Sequence, residues 1–281
     1  MNIIRTFLAL LVFPAHLSEA TEVHAEPALP IRVFQKLQAG GKQTVVTYGT
    51  SLTHRGAWTS EVKSYFDQLY PGQVEFHNAA KSGMHSKWGL ENLESRVLHH
   101  SPDLVFIEFS ANDASLSNRI SLDDSRTNLD QMGKASRNRN PDAEIVLQTM
   151  NPAWDSPRVP KTYGSDRPEL STYYDIYRTY AAENHLPLAD HEPYFRRIQM
   201  EQTERYQKMV PDGIHPSSTT SREVTWQGVK ALFEMARNTV RGGRTLGLPL
   251  GAEETIEIWP EGQMPGKGAR GPESLRPANS D

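Results

Sequence analysis

QTVVTYGTSLTHRGAWTSEVKSYFDQLYPGQVEFHN, residues 43–78, decides the fold. Its first six residues, Gln43 to Tyr48, are rich in β-branched and aromatic side chains and carry no charge, the composition of a buried strand. From Ala57 to Tyr70 the period changes. Trp58, Val62, Tyr65, Phe66 and Leu69 recur at three and four, which predicts a helix with one apolar face, stopped by Pro71-Gly72. Val74 to Asn78 is strand-like again, so the stretch reads strand, helix, strand.

The alternation continues outward. Lys87 to His99 reads as helical, and Asp103 to Phe109 (DLVFIEF) is the strongest strand of the chain. A helix follows over Leu122 to Arg137, a strand over Glu144 to Gln148, a helix over Leu170 to Asn184 and a brief strand over Leu186 to Ala189. Helical stretches near Glu192 to Lys208 and Ser221 to Val240 close the pattern. Strands joined by helical crossovers imply a parallel sheet covered on both faces, so the expected fold class is α/β, a three-layer α/β/α sandwich of about five strands. In such sheets ligands sit beyond the carboxyl ends of the strands.

Composition narrows the function. Thirty Lys and Arg against 34 Asp and Glu leave a net charge of −4 over 281 residues, without the basic excess that phosphate backbones require, so nucleic acid is not an expected partner. The absence of cysteine excludes disulfides, thiolate zinc sites and a cysteine nucleophile. Any nucleophile is an oxygen or a nitrogen.

Four short segments fall on the rim where ligands are expected. Gly49-Thr50-Ser51-Leu52-Thr53 follows the first strand, Asn78-Ala79-Ala80-Lys81-Ser82-Gly83 the second and Ser110-Ala111-Asn112-Asp113 the third, while Asp212-Gly213-Ile214-His215-Pro216 precedes the last helix. Singly each reads as a turn or a helix cap. Together they supply a serine, an imidazole to take its proton, and a carboxylate three residues before that imidazole to fix its tautomer. Ser51, His215 and Asp212 fill those three roles. The backbone N–H groups of Ser51 and Gly83 and the side-chain amide of Asn112 are candidate donors to an oxyanion, where each donor is worth about 2.7–4 kcal/mol of barrier.

In this order the segments resemble the SGNH (GDSL-like) hydrolase superfamily over about Thr44 to Val240. The resemblance implies a flavodoxin-like sheet, Ser51 as nucleophile, Gly83 and Asn112 as oxyanion-hole donors, and Asp212 with His215 completing a triad. Two positions depart from the family pattern: Thr50 stands where Asp is usual, and Ser110 where a Gly usually precedes the Ala-Asn pair.

His85 and Trp88 follow Gly83 closely and are candidates for lining the substrate cleft, with a packing role the alternative for Trp88. His99 and His100, adjacent on a helix, are expected to point in different directions, and His54, His77 and His85 lack an i, i+4 partner, so no metal site is expected. No cofactor is implied, since phosphate loops and dinucleotide fingerprints are missing from the sequence.

The termini have their own character. Arg5, the apolar run TFLALLVF (Thr6 to Phe13) and the small residues before Ala20 and Ala25 have the layout of a signal peptide over residues 1–25, cleaved after Ala20 or Ala25. The run is too short to span a bilayer, so no integral membrane segment is expected after its removal, and the protein is expected to be secreted or periplasmic. Residues 26–246 form the hydrolase domain, and residues 247–281 a Gly/Pro-rich tail or linker. Within that tail Ile258-Trp259-Pro260-Glu261-Gly262 with Pro265-Gly266 resembles the lead-in of α/β-hydrolase-type carbohydrate esterases. The expected activity is hydrolysis of a small acyl ester, an O-acetyl group on a carbohydrate, through an acyl-enzyme. The alternatives are a lipase or phospholipid acyl hydrolase, and a non-catalytic sugar-binding module on the same fold.

Overall fold

The computed structural model describes residues 27–242, so the leader expected at 1–25 and the tail expected at 247–281 lie outside the described residues. Five strands, β1 (Gln43–Gly49), β2 (Val74–Asn78), β3 (Leu104–Glu108), β4 (Glu144–Thr149) and β5 (Leu188–Asp190), form one sheet in the order β2-β1-β3-β4-β5. Every pairing is parallel. The sheet is the three-layer α/β arrangement read from the alternation.

Strand periodicity sorts the core into two halves. Val45, Leu104, Phe106 and Val146 point to one face, where they meet Val33 and Phe34 of the helix Ile31–Gln38, Trp58, Val62 and Phe66 of the helix Ala57–Leu69, and Val229 and Phe233 of the helix Trp226–Arg241. Val46, Tyr48, Val105, Ile107, Ile145 and Leu147 point to the other, against Leu129 and Met132 of Leu122–Arg139 and Tyr177 and Tyr180 of Leu170–Glu183. Both faces of β3 are buried, which is why DLVFIEF carries an unbroken apolar run from Leu104 to Ile107, ahead of the strand's last residue, Glu108. β2 lies at the edge and is only partly buried.

Several boundaries differ from the sequence reading. The helix Ile31–Gln38 was not expected; its first-turn N–H groups at Arg32 and Val33 donate to the Glu144 carboxylate at 2.9 and 2.8 Å, a cap supplied from 112 and 111 residues away. The single helix expected over Lys87 to His99 is broken into Ser86–Glu91, Leu93–Arg96 and a 3-10 turn Leu98–His100. Asn92 marks the break, its side chain and its backbone N–H both donating to the Trp88 carbonyl, at 2.9 and 3.0 Å. β5 starts at Leu188 rather than Leu186, because His185 takes a left-handed turn at φ 50° and Leu186 N still bonds back to Ala181 O. The 3-10 turn also corrects the expectation for His99 and His100: their rings are 3.6 Å apart, and His100 stacks on His77 at 3.7 Å. Among the described residues no group of three His, Asp or Glu is arranged to hold a metal ion, and no helix is long and apolar enough to cross a membrane.

Candidate active site

The strand order sets three loops side by side at the carboxyl edge, because β1 lies between β2 and β3. Ser51 opens a short helix, Ser51–His54, directly after β1; Thr50 is its N-cap, accepting from Leu52 N at 3.1 Å. As first residue of that helix Ser51 has a backbone N–H with no intrahelical acceptor. Beneath the turn lies Glu108, wholly buried at the end of β3. Its Oε2 accepts from Thr50 N at 3.1 Å, Thr50 Oγ1 at 2.8 Å and Thr53 Oγ1 at 3.0 Å, so the residues on both sides of Ser51 are tied to one carboxylate. Burial pushes the Glu108 carboxyl up to about 7, against the downward pull of those hydrogen bonds. Its other oxygen, Oε1, has no hydrogen-bond partner among the described residues.

The late loop reaches the same place. Ser51 Oγ is 2.7 Å from His215 Nε2, and His215 Nδ1 is 2.6 Å from Asp212 Oδ2. The other Asp212 oxygen accepts from the backbone of His215 at 2.8 Å and of Ile214 at 3.0 Å, which folds the loop back on its own carboxylate. Burial raises the Asp212 pKa, but those two N–H groups and the imidazole outweigh it and hold the carboxyl below its ordinary value. Gly213 makes the turn at φ +103°, where a Cβ would stand 2.2 Å from the Trp154 carbonyl oxygen. Trp154 clamps this loop from outside: its backbone N–H donates to Gly213 O at 2.9 Å and its indole to Val210 O at 2.7 Å. Asn151 adds a hydrogen bond to Ile214 O at 2.9 Å. The ring of Tyr163 meets the His215 ring edge-on, centroids 6.0 Å apart.

Gly83 and Asn112 stand on the segments that follow β2 and β3. Gly83 has φ +80° with nothing within 4 Å of an added Cβ, so the backbone conformation is what requires glycine there. Asn112 lies on the short helix Ser110–Asp113; its Nδ2 donates to Met84 O at 2.9 Å, and its Oδ1 accepts from Arg167 Nη2 at 3.2 Å. Asp113, the next residue, is buried and accepts from Ser86 N at 2.7 Å and Ser125 Oγ at 2.6 Å, which joins this turn to the helices of the second face.

A cavity of about 190 Å³ opens beside Ser51, lined among others by Leu52, Arg55, Met150, His215 and Pro216. Of the residues expected at the cleft, Gly83, Asn112, His85 and Trp88 are not among its lining residues. The His85 ring accepts from Trp88 N at 3.4 Å as a helix cap, and half-buried Trp88 packs on Tyr48 with Lys81 and Arg96 over its ring. Sequence reasoning missed Glu108, Tyr163 and Arg167. Of these only Glu108 carries a local signal, an acidic residue closing an apolar strand.

Residues 46–222 match the model of the GDSL-like lipase/acylhydrolase family, and the chain belongs to that family, within the SGNH hydrolase superfamily of carboxylic ester hydrolases. Solved structures share the fold. An α/β hydrolase from the metagenome of Lake Arreo, Spain, superposes with a TM-score of 0.55 at 17% identity, covering 71% of this chain and 97% of that one. The acetylxylan esterase Axe2 of Geobacillus stearothermophilus gives 0.53 at 17%, covering 72% and 95%. The lipase/acylhydrolase of Enterococcus faecalis gives 0.52 at 22%, covering 71% and 96%. No curated protein matches this sequence closely enough to count as a relative.

Proposed function

We propose that this chain is a secreted serine esterase that removes a small acyl group, an O-acetyl, from a carbohydrate. The observation that carries the reading is the hydrogen-bonded series from Ser51 Oγ through His215 to Asp212, with links of 2.7 and 2.6 Å, opening on a cavity of about 190 Å³. In the proposed reaction Ser51 Oγ attacks the ester carbonyl carbon as His215 Nε2 takes its proton. The negative oxygen of the tetrahedral intermediate is met by Ser51 N–H, Gly83 N–H and Asn112 Nδ2. Collapse breaks the ester C–O bond, and His215 returns the proton to the leaving alcohol. Water, deprotonated by His215, then attacks the acyl-enzyme, and the proton goes back to Ser51 as the acid leaves. Asp212, kept ionised by its N–H donors, stabilises the imidazolium in both halves.

The cavity supports a small acyl group: it is below the about 300–1,000 Å³ typical of pockets that engulf drug-sized ligands. The carbohydrate reading draws on the acetylxylan esterase of the same fold and on the tail's resemblance to a carbohydrate-esterase lead-in. Turnover of p-nitrophenyl acetate, p-nitrophenyl palmitate and an acetylated polysaccharide separates the alternatives. Acetate release from the first and third supports the reading; preference for palmitate makes the protein a lipase, and no turnover leaves a binding module. Export after removal of residues 1–25 is part of the proposal. Mature protein beginning at Thr21 or Glu26 in the medium or periplasm supports it, and an intact Met1 terminus in the cytoplasm contradicts it.

A further inference from the structure

Arg167 is a guanidinium withdrawn from water, its side chain only 3% exposed, and 55 residues from the oxyanion candidate it touches. Nη2 donates to Asn112 Oδ1 at 3.2 Å, and Nε to the carbonyl of the preceding residue, Ala111, at 2.7 Å. Nη1 is held by Asp166 at 3.0 Å and by Tyr163 O at 3.4 Å, and the guanidinium lies 5.3 Å from the centroid of the Tyr163 ring. That same ring meets His215. Burial lowers the Arg167 pKa while Asp166 raises it, and an arginine stays charged through the range where esterases work.

A carboxamide has a donor end and an acceptor end, and only one orientation of Asn112 serves an oxyanion. Both ends are decided by neighbours that cannot swap roles. A guanidinium only donates, so it selects Oδ1; the Met84 carbonyl only accepts, so it selects Nδ2. Met84 O takes one of the two Nδ2 hydrogens and leaves the second for an anionic oxygen. A charged donor on Oδ1, even one paired with Asp166, also draws electron density out of the amide, which makes Nδ2–H a stronger donor in a site of low dielectric. Because a buried guanidinium is costly to desolvate, aiming two of its donors at Ala111 O and the Asn112 amide calls for a function beyond packing.

We propose that Arg167 is a positioning residue of the esterase reaction: it orients and polarises the Asn112 amide for the oxyanion. The proposal rests on the assignment of Asn112 to the oxyanion hole. Its test is a double-mutant cycle on p-nitrophenyl acetate hydrolysis with R167M, N112A and the double variant, with R167K as the conservative substitution. R167M is expected to lower kcat about 10- to 100-fold with KM little changed. R167K should recover part of that loss, since an ammonium keeps the charge but cannot reach both Ala111 O and Asn112 Oδ1. In the N112A background the substitution should cost almost nothing more, because the amide it serves is gone. Should R167M fail to fold, R167K against N112A/R167K gives the same comparison. Loss of equal size with and without Asn112, or a KM effect with kcat kept, overturns the proposal and makes Arg167 an anchor for its loop. Inactive wild-type protein, or N112A with undiminished kcat, overturns instead the reading of the site on which it rests.

Discussion

Replacing Glu108 by Gln tests the link between the sheet and the nucleophile turn. The carboxyl is wholly buried and shifted from 4.5 to about 7, so the fold favours its protonated form. A raised carboxyl contributes stability that is fully present below its unfolded pKa and lost as the pH climbs through its folded one, here from about 4.5 to about 7. Between pH 5 and pH 8 that linkage removes on the order of 2–3 kcal/mol from the wild-type protein and nothing from E108Q. The amide keeps one oxygen to accept from Thr50 and Thr53, while its nitrogen takes the place of the partnerless Oε1. An unpaired buried donor costs about 1–3 kcal/mol, but at every pH alike, so it leaves the difference between the two pH values untouched. Urea unfolding of both proteins at pH 5 and pH 8 measures that difference directly. Wild type should lose on the order of 2–3 kcal/mol relative to the variant on going to pH 8. Parallel pH dependences would refute the reasoning, and with it the buried, proton-linked state of Glu108.

Three further outcomes follow from the site. Asp212→Asn should lower kcat about 10⁴-fold, because the amide selects the wrong imidazole tautomer; since Asp212 is held below its ordinary value, the variant should also lose the part of stability that is present above the ordinary carboxylate pKa and fades as pH falls through the lowered one, visible in acid denaturation. Asn112→Ala should reduce kcat by about 10²–10³-fold with KM nearly unchanged, and a pure KM effect would move Asn112 to substrate binding. Mature protein truncated after Leu246 should match the full mature chain in melting temperature and in p-nitrophenyl acetate turnover, since every proposed site residue precedes that point; a large loss of either would make residues 247–281 part of the catalytic unit.

The legible part of this molecule is what neighbouring residues decide. DLVFIEF declares a strand buried on both faces, and the spacing of Trp58, Val62 and Phe66 declares the helix that covers one of them. The residues at the strand ends were readable for the same reason: Ser51, Gly83 and Asn112 each follow a strand whose neighbours the alternation orders. What escaped depends on contacts far apart in the chain. The helix Ile31–Gln38 takes its cap from Glu144, and Asn112 takes its orientation from Arg167, neither of which leaves a mark near the residue it serves. His85 and Trp88 were assigned to the cleft by proximity to Gly83, whereas the turn after Gly83 carries them into a helix cap and onto Tyr48. The helix expected over Lys87 to His99 is interrupted at Asn92, although the periodicity continues across it and Asn92 N still bonds to Trp88 O at 3.0 Å.

The central claim is that Ser51 is the nucleophile, and covalent capture tests it most directly. The mature enzyme is inactivated with a fluorophosphonate, digested, and its peptides are mapped by mass spectrometry, alongside Ser51→Ala. The account predicts one stoichiometric adduct on the Ser51 hydroxyl, formed as activity disappears, and neither adduct nor turnover in the folded Ser51→Ala protein. An adduct on another residue, or ester turnover that survives in Ser51→Ala, would contradict it.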